Sequence, residues 1–195
     1  TKRDLAGHGV RVRAVVRGEP SRRAVVFVDP NGERTITTLG RRLEPVATDR
    51  LPWDELSETN AVYFTAGDAD ALRLARRARV LVATSRAVVG SGRDPGERYD
   101  PDVLSVPPRL VVRTGSAHGG RYETDNGRSG MYETILPPGP VIDTYGAGDC
   151  FAAGLTYALG AGMELEDSLA LAARCGAWNV AGQGPYSHQL SAADL

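Results

Sequence analysis

The 195-residue chain is 42% hydrophobic and 24% charged, enough apolar material to bury a sizeable core in one domain or slightly more. Its 23 Lys and Arg residues offset 24 Asp and Glu, so the formal net charge is −1 and neither a nucleic-acid nor a membrane partner is expected. The basic residues, nearly all arginine, fall in short clusters interleaved with acids, the pattern of a solvated face.

No apolar run approaches the length of a membrane span, and the residues after Thr1 lack the apolar core of a signal peptide, so a soluble, cytoplasmic protein is expected. Cys150 and Cys175 have no metal-type spacing and are expected to be free thiols.

The first third of the chain reads as strands. Val10 to Val15 alternates apolar and basic side chains and predicts one strand. Ala24 to Val28 and Glu33 to Thr38 flank the turn residues Asp29-Pro30-Asn31-Gly32 and predict an antiparallel hairpin. From Leu56 onward short apolar strands alternate with helical stretches. Ala61 to Thr65 is a strand, Ala69 to Arg79 a helix rich in Ala, Leu and Arg, and Val80 to Thr84 the next strand, which together make a β-α-β unit.

The pair Val88-Val89 follows closely. If it were a parallel neighbour of Val80 to Thr84, the connection would be shorter than the dozen or so residues that a crossover needs. Around Gly90 the fold is therefore expected to be locally irregular or to lack residues. Leu110 to Thr114 supplies a further strand. Phe151, Leu155 and Leu159 recur at four-residue spacing in a helix that opens near Gly148 and ends at Gly160 and Gly162. A second helix runs from Glu164 through Leu169, Ala172, Ala173 and Val180 to Gly182. Alternating strands and helices predict a three-layer α/β domain, with ligands beyond the carboxyl ends of the strands.

The stretch Asp143-Thr144-Tyr145-Gly146-Ala147-Gly148-Asp149 opens the first of these helices. A helix leaves its first backbone N–H groups without internal acceptors, and Gly146, Ala147 and Gly148 leave them uncovered by side chains. Such a nest at the positive end of the helix dipole suits an anion, above all a phosphoryl group. Asp149, in the first turn, could orient a substrate hydroxyl and take its proton, and Asp143 could order the turn or hold Mg2+ through water. The same residues also suit an ordinary turn in which Asp149 only caps the helix, and the chemistry alone leaves both readings open. No P-loop lysine motif is present. The small residues of Thr114-Gly115-Ser116-Ala117-His118-Gly119-Gly120, after a strand end, suit either a ligand-free tight turn or the approach of a ribose or phosphate. His8, His118 and His188 have no companions at zinc-ligand spacing, so no zinc site is expected.

Together with Phe151 and Gly154, the segment Asp143 to Asp149 resembles the C-terminal signature D-T-x-G-A-G-D-x-F-x-x-G of the ribokinase-like carbohydrate kinases, the PfkB family. The resemblance implies a three-layer α/β/α ribokinase-like sheet with a small β lid. Residues 1–50 would form the lid region and its return to the core, and residues 51–195 the nucleotide-binding and catalytic core. It implies Asp149 as general base, the Gly146, Ala147 and Gly148 amides as anion hole, and Thr144 and Gly148 beside the nucleotide. Asn31-Gly32-Glu33-Arg34-Thr35 resembles the family's lid-side hairpin. Thr114, Gly115 and Gly119 match its nucleotide-side loop, with one extra residue, and Cys175 lies in the Ala172 to Ala181 stretch that would line the adenine pocket.

The resemblance further implies ATP and Mg2+, a sugar or nucleoside substrate, and the possibility of a homodimer through the β lid. Two departures stand out. By the resemblance the chain is expected to start after the family's N-terminal sugar-binding segment, and the family's Mg-organising N-x-x-E motif has only Asp94-Pro95-Gly96-Glu97 as counterpart, which makes Glu97 the candidate metal residue beside Asp143. The expected activity is transfer of the ATP γ-phosphoryl to a hydroxyl of a sugar or sugar-like substrate. A nucleoside kinase of the same fold and a non-catalytic nucleotide-binding relative are the alternatives.

Overall fold

The structure, a computed structural model, describes residues 2–28, 34–83, 89–91, 107–184, 186–191 and 194. The chain divides into two compact units, Thr1–Asp54 with Ala66–Leu74, and Glu55–Thr65 with Ala75–Leu195.

In the first unit, helix α1 (Lys2–Gly7) precedes an antiparallel ribbon of β1 (Arg23–Val28) and β2 (Arg34–Leu39), in which Val26 faces Ile36 and Phe27 faces Thr35. The expected hairpin is therefore formed, although its turn, residues 29–33, lies outside the described residues. The strand expected over Val10 to Val15 is not: this segment is irregular. Val10, Val15 and Val16 are all exposed. Alternation makes a strand only where a ladder and a buried face receive it, and among the described residues neither does so here. Further on, the Asp49 carboxylate accepts from Arg17 at 2.6 Å and from the Val46 amide at 2.9 Å. Asp68 caps α2 (Ala69–Ala75) by accepting from the Ala71 amide at 2.7 Å, an Asp N-cap on the third amide of the helix. This helix stops short of the expected Arg79, in a turn closed by Ala78 N–H to Ala75 carbonyl that feeds the next strand.

In the second unit, β3 (Ala61–Phe64) and β4 (Val80–Ala83) pair in parallel, as the β-α-β reading requires. The short β5 (Val89–Ser91) has β6 (Leu110–Thr114) as its parallel partner, far enough along the chain for an ordinary crossover, so the awkward β4 to β5 crossover does not arise among the described residues. Two antiparallel strands, β7 (Gly120–Thr124) and β8 (Ser129–Tyr132), extend that sheet. They went unread in the sequence because Gly120, Gly127 and Gly130 look like loop residues. The strands need them: Gly127 turns the hairpin at φ 82°, and a Cβ at Gly120 would stand 2.4 Å from the Arg113 carbonyl oxygen.

Two fifteen-residue helices, α3 (Ala147–Ala161) and α4 (Leu165–Asn179), complete the unit close to their predicted limits. They pack on each other, and α3 also lies on β3 and β4. The core gathers Val82, Val112 and Tyr122 from the strands with Phe151, Leu155, Leu169 and Ala172 from the helices. Full burial of a Leu or Phe side chain contributes about 1.5–3 kcal/mol.

Two contacts set the direction of α3. Near its end, a Cβ at Gly160 would lie 2.7 Å from the Ala61 Cβ, at the start of β3. In its first turn, Asp149 meets the hydroxyl of Tyr63, toward the end of β3. The helix therefore runs antiparallel to the strand, and its N-terminus lies at the strand's carboxyl end, where open α/β sheets bind ligands.

Candidate active site

The chain enters α3 through Gly146, which takes the left-handed conformation (φ 85°, ψ −2°) at the N-cap. A side chain there would be strained, which is why glycine serves at this position. The helical ladder begins with the Cys150 N–H donated to the Gly146 carbonyl at 2.8 Å. Ahead of it stand the amides of the first turn, at the positive end of the helix dipole. Gly148 is exposed, and a Cβ built on it meets nothing within 4 Å. The turn is thus open at Gly148, while the Ala147 N–H makes a long bond of 3.3 Å to the Thr144 carbonyl.

Asp143 orders the segment in front of the helix. Its Oδ1 accepts from the Tyr145 amide at 2.9 Å and its Oδ2 from the Gly184 amide at 3.0 Å, which joins the turn to the loop after α4. The Ile142 amide adds a bond of 2.8 Å to the Val180 carbonyl.

Asp149 is exposed in the first turn, and its Oδ1 accepts the Tyr63 hydroxyl at 2.8 Å. An ionised carboxylate only accepts, so the phenol donates. The neighbouring Cys150 thiol is pushed above its ordinary value, chiefly by burial and also by the Asp149 charge, against an opposing hydrogen bond from Gln189. At neutral pH it is a thiol rather than a nucleophilic thiolate. The first turn therefore offers carboxylate and amide chemistry.

The other predicted residues lie as follows. Thr144, Gly146, Ala147, Gly148 and Asp149 come together at the head of α3. Thr114 ends β6 and leads into a closed loop in which the Gly115 N–H donates to the Gly119 carbonyl at 2.6 Å, around a short 3-10 turn at Ser116–His118. Gly119 is buried at φ 73°, and a Cβ there would lie 2.1 Å from the Tyr132 carbonyl oxygen, so packing against β8 by itself requires this glycine. Tyr132 in turn stacks on Phe151 with ring centroids 5.4 Å apart, which connects that sheet end to the first turns of α3. Cys175 is half-buried between helices, where a Cβ on Gly154 would come within 2.7 Å of its Sγ. Both cysteines are free thiols, as expected. Glu97 lies outside the described residues. Among the described residues, no group of three or more His, Cys, Asp or Glu side chains could hold a metal ion, and no helix is long and apolar enough to cross a membrane.

Tyr63 is the participant that the sequence reading missed, because it looked like one more strand residue. Its sole signal was period-two alternation with Ala61, which puts both on the face of β3 toward α3.

A sequence profile of the pfkB family carbohydrate kinases matches residues 101–192, the part of the chain that contains the α3 entrance. The acarbose 7(IV)-phosphotransferase of Actinoplanes sp. strain SE50/110 is 34% identical over 163 residues, 81% of this chain and 48% of that protein. This chain belongs to the pfkB family of carbohydrate kinases.

Solved structures agree on the fold. The adenosine kinase of Sinorhizobium meliloti superposes with a TM-score of 0.69 at 21% identity, covering 99% of this chain and 71% of its own. The Arabidopsis thaliana ribokinase complexed with ribose and ATP gives 0.68 at 16% identity, covering 91% and 68%. The fold is accordingly the three-layer α/β/α ribokinase-like sheet with a small β sheet. The chain spans about half the length of the curated relative it matches, 48%. Dependence on ATP and Mg2+ is typical of pfkB kinases.

Proposed function

We propose that the protein is an ATP-dependent phosphotransferase that moves the γ-phosphoryl group to a hydroxyl of a sugar or sugar-like substrate. The observation that carries this reading is the head of α3: an open amide turn entered through left-handed Gly146, with the Asp149 carboxylate directly behind it. The 34% identity to a protein named for phosphorylating acarbose supports a carbohydrate-like acceptor.

ATP, bound with Mg2+, supplies the phosphoryl group. The amides of Gly146, Ala147 and Gly148 hold its oxygens and stabilise the charge that grows on them in transfer. Thr144 stands beside the same phosphates, and the loop from Thr114 through Gly115 to Gly119, with Cys175 on α4, serves the nucleoside side. Asp143, and Glu97 elsewhere in the chain, are the residues that would hold Mg2+, which would offset the phosphate charge. Asp149 accepts the proton of the attacking hydroxyl, whose oxygen bonds to the γ-phosphorus as the bond to the bridging oxygen breaks and ADP leaves. No covalent enzyme intermediate is required.

The protein pairs with a second copy through the β1–β2 ribbon. Phe27 and Leu39 are 61% and 58% exposed on one face of this ribbon, with Val25 between them, and that apolar face is the surface a second copy would cover.

The test is ATP turnover by the full-length protein against acarbose, D-ribose, adenosine and inosine, with Asp149→Asn as the comparison. Asp149→Asn is expected to lower kcat by about 100-fold or more, the scale of general-base catalysis. Equal turnover by the two proteins would remove Asp149 as the base. Preference for adenosine or inosine over both sugars would move the acceptor class to nucleosides.

A further inference from the structure

We infer that Tyr63 is a positioning residue for Asp149: its hydroxyl holds Oδ1 and leaves Oδ2 to receive the acceptor's proton. This inference rests on the phosphoryl-transfer reading above and deepens it.

The geometry comes from two elements far apart in sequence. Tyr63 and Asp149 are 86 positions apart, yet their oxygens lie 2.8 Å from each other, an ordinary length for a hydroxyl donating to a carboxylate. From Asp149 to Gly160 the helix rises roughly 16 Å, while Ala61 to Tyr63 advances the strand by only about 7 Å. The Tyr63 and Asp149 side chains together span the remainder. Ala61 and Gly160 let helix and strand approach closely enough for that reach, because a Cβ on Gly160 would already meet the Ala61 Cβ at 2.7 Å.

Tyr63 is half-buried and packs against the core cluster of the second unit. It also lines a cleft of about 570 Å³ beside the start of β3, with Ala153 and Tyr157 on the helix side. Ala153 stands one turn beyond Asp149 on the same helical face. A half-buried phenol so held is a fixed donor, whereas an exposed Asp in the first turn of a helix samples several staggered rotamers by itself. The hydrogen bond selects one of them. Preorganising a base this way raises kcat without strengthening ground-state binding.

Tyr63→Phe keeps the ring and removes the donor. In the full-length protein, using whichever acceptor of the panel turns over fastest, we expect kcat to fall about 10-fold with both KM values within about two-fold of the parent. In an Asp149→Asn background the same change should have no further effect, because the oriented base is already gone. An independent reading needs no acceptor. With 13Cζ-labelled tyrosine, the chain's seven tyrosines give separate NMR signals, and the one lost in Tyr63→Phe belongs to Tyr63. Asp149→Ala should displace that signal.

An unmoved signal, or equal losses in both backgrounds, overturns the inference. So does wild-type turnover by Tyr63→Phe, and if Asp149→Asn is inactive in the same assay, the base assignment survives while the role of Tyr63 does not. Full turnover by Asp149→Asn sinks the base assignment and the inference together.

Discussion

Tyr132 places an aromatic ring where it is needed and a hydroxyl where it is not. The ring stacks on Phe151, but the hydroxyl is buried with no hydrogen-bond partner among the described residues. Burial pushes this phenol well above its ordinary value near 10.0. Because the folded state holds the proton more tightly than the unfolded chain, Tyr132 ionises first in the unfolded state as pH rises past about 10, and stability falls from there upward. Tyr132→Phe removes both the unpaired oxygen and the titration. Its unfolding free energy in urea should equal or exceed the parent's at neutral pH, by about 1 kcal/mol at most, and the advantage should widen above about pH 10. A variant that is markedly less stable at neutral pH would mean that the hydroxyl has a partner. At this same scale the site was half legible in the sequence. The glycines and Asp149 announce themselves by local spacing, since an open helix start is a local property. Tyr63 does not, because its partner lies on another element.

Helix α3 has a small residue on each flank. Gly154 faces α4, where a Cβ would come within 2.7 Å of Cys175 Sγ and 3.1 Å of the Ala172 Cα, and Gly160 faces β3. A glycine inside a helix costs about 1 kcal/mol against alanine, so retaining two makes sense where close packing returns more. Gly154→Ala should gain that propensity and lose about 1–3 kcal/mol to overpacking, a net loss of up to about 2 kcal/mol in urea unfolding. Adding Cys175→Ala removes the sulfur and should recover part of the loss, a coupling that a double-mutant cycle measures directly. Additive effects would mean that the backbone at Ala172, rather than the thiol, sets the limit. The two long helices were readable because four-residue apolar spacing and terminal glycines are strong local signals. Val10 to Val15 misled for the opposite reason: alternation reports a capacity to pair, and among the described residues no strand pairs with it. β7 and β8 escaped notice because their glycines serve close contacts among β6, β7 and β8 that only pairing creates.

For the molecule as a whole, the exposed ribbon has a direct test. If it pairs two copies, Phe27→Glu in the full-length protein should shift sedimentation from dimer to monomer, since a charge at the centre of an apolar contact leaves it buried and unpaired. Unchanged sedimentation, or a parent that is already monomeric, would remove the ribbon from this role. The sequence by itself determined the hairpin, the two closing helices and the glycine-acid entrance, together with the family they signal, because caps, turns and periodicity are written within a few neighbouring residues. Tertiary structure alone decided that α3 runs antiparallel to β3, that Asp143 bonds the loop after α4, and that a strand tyrosine reaches Asp149. Those facts depend on which distant segments share a face, and distance along a chain carries no information about distance in space until the core has formed.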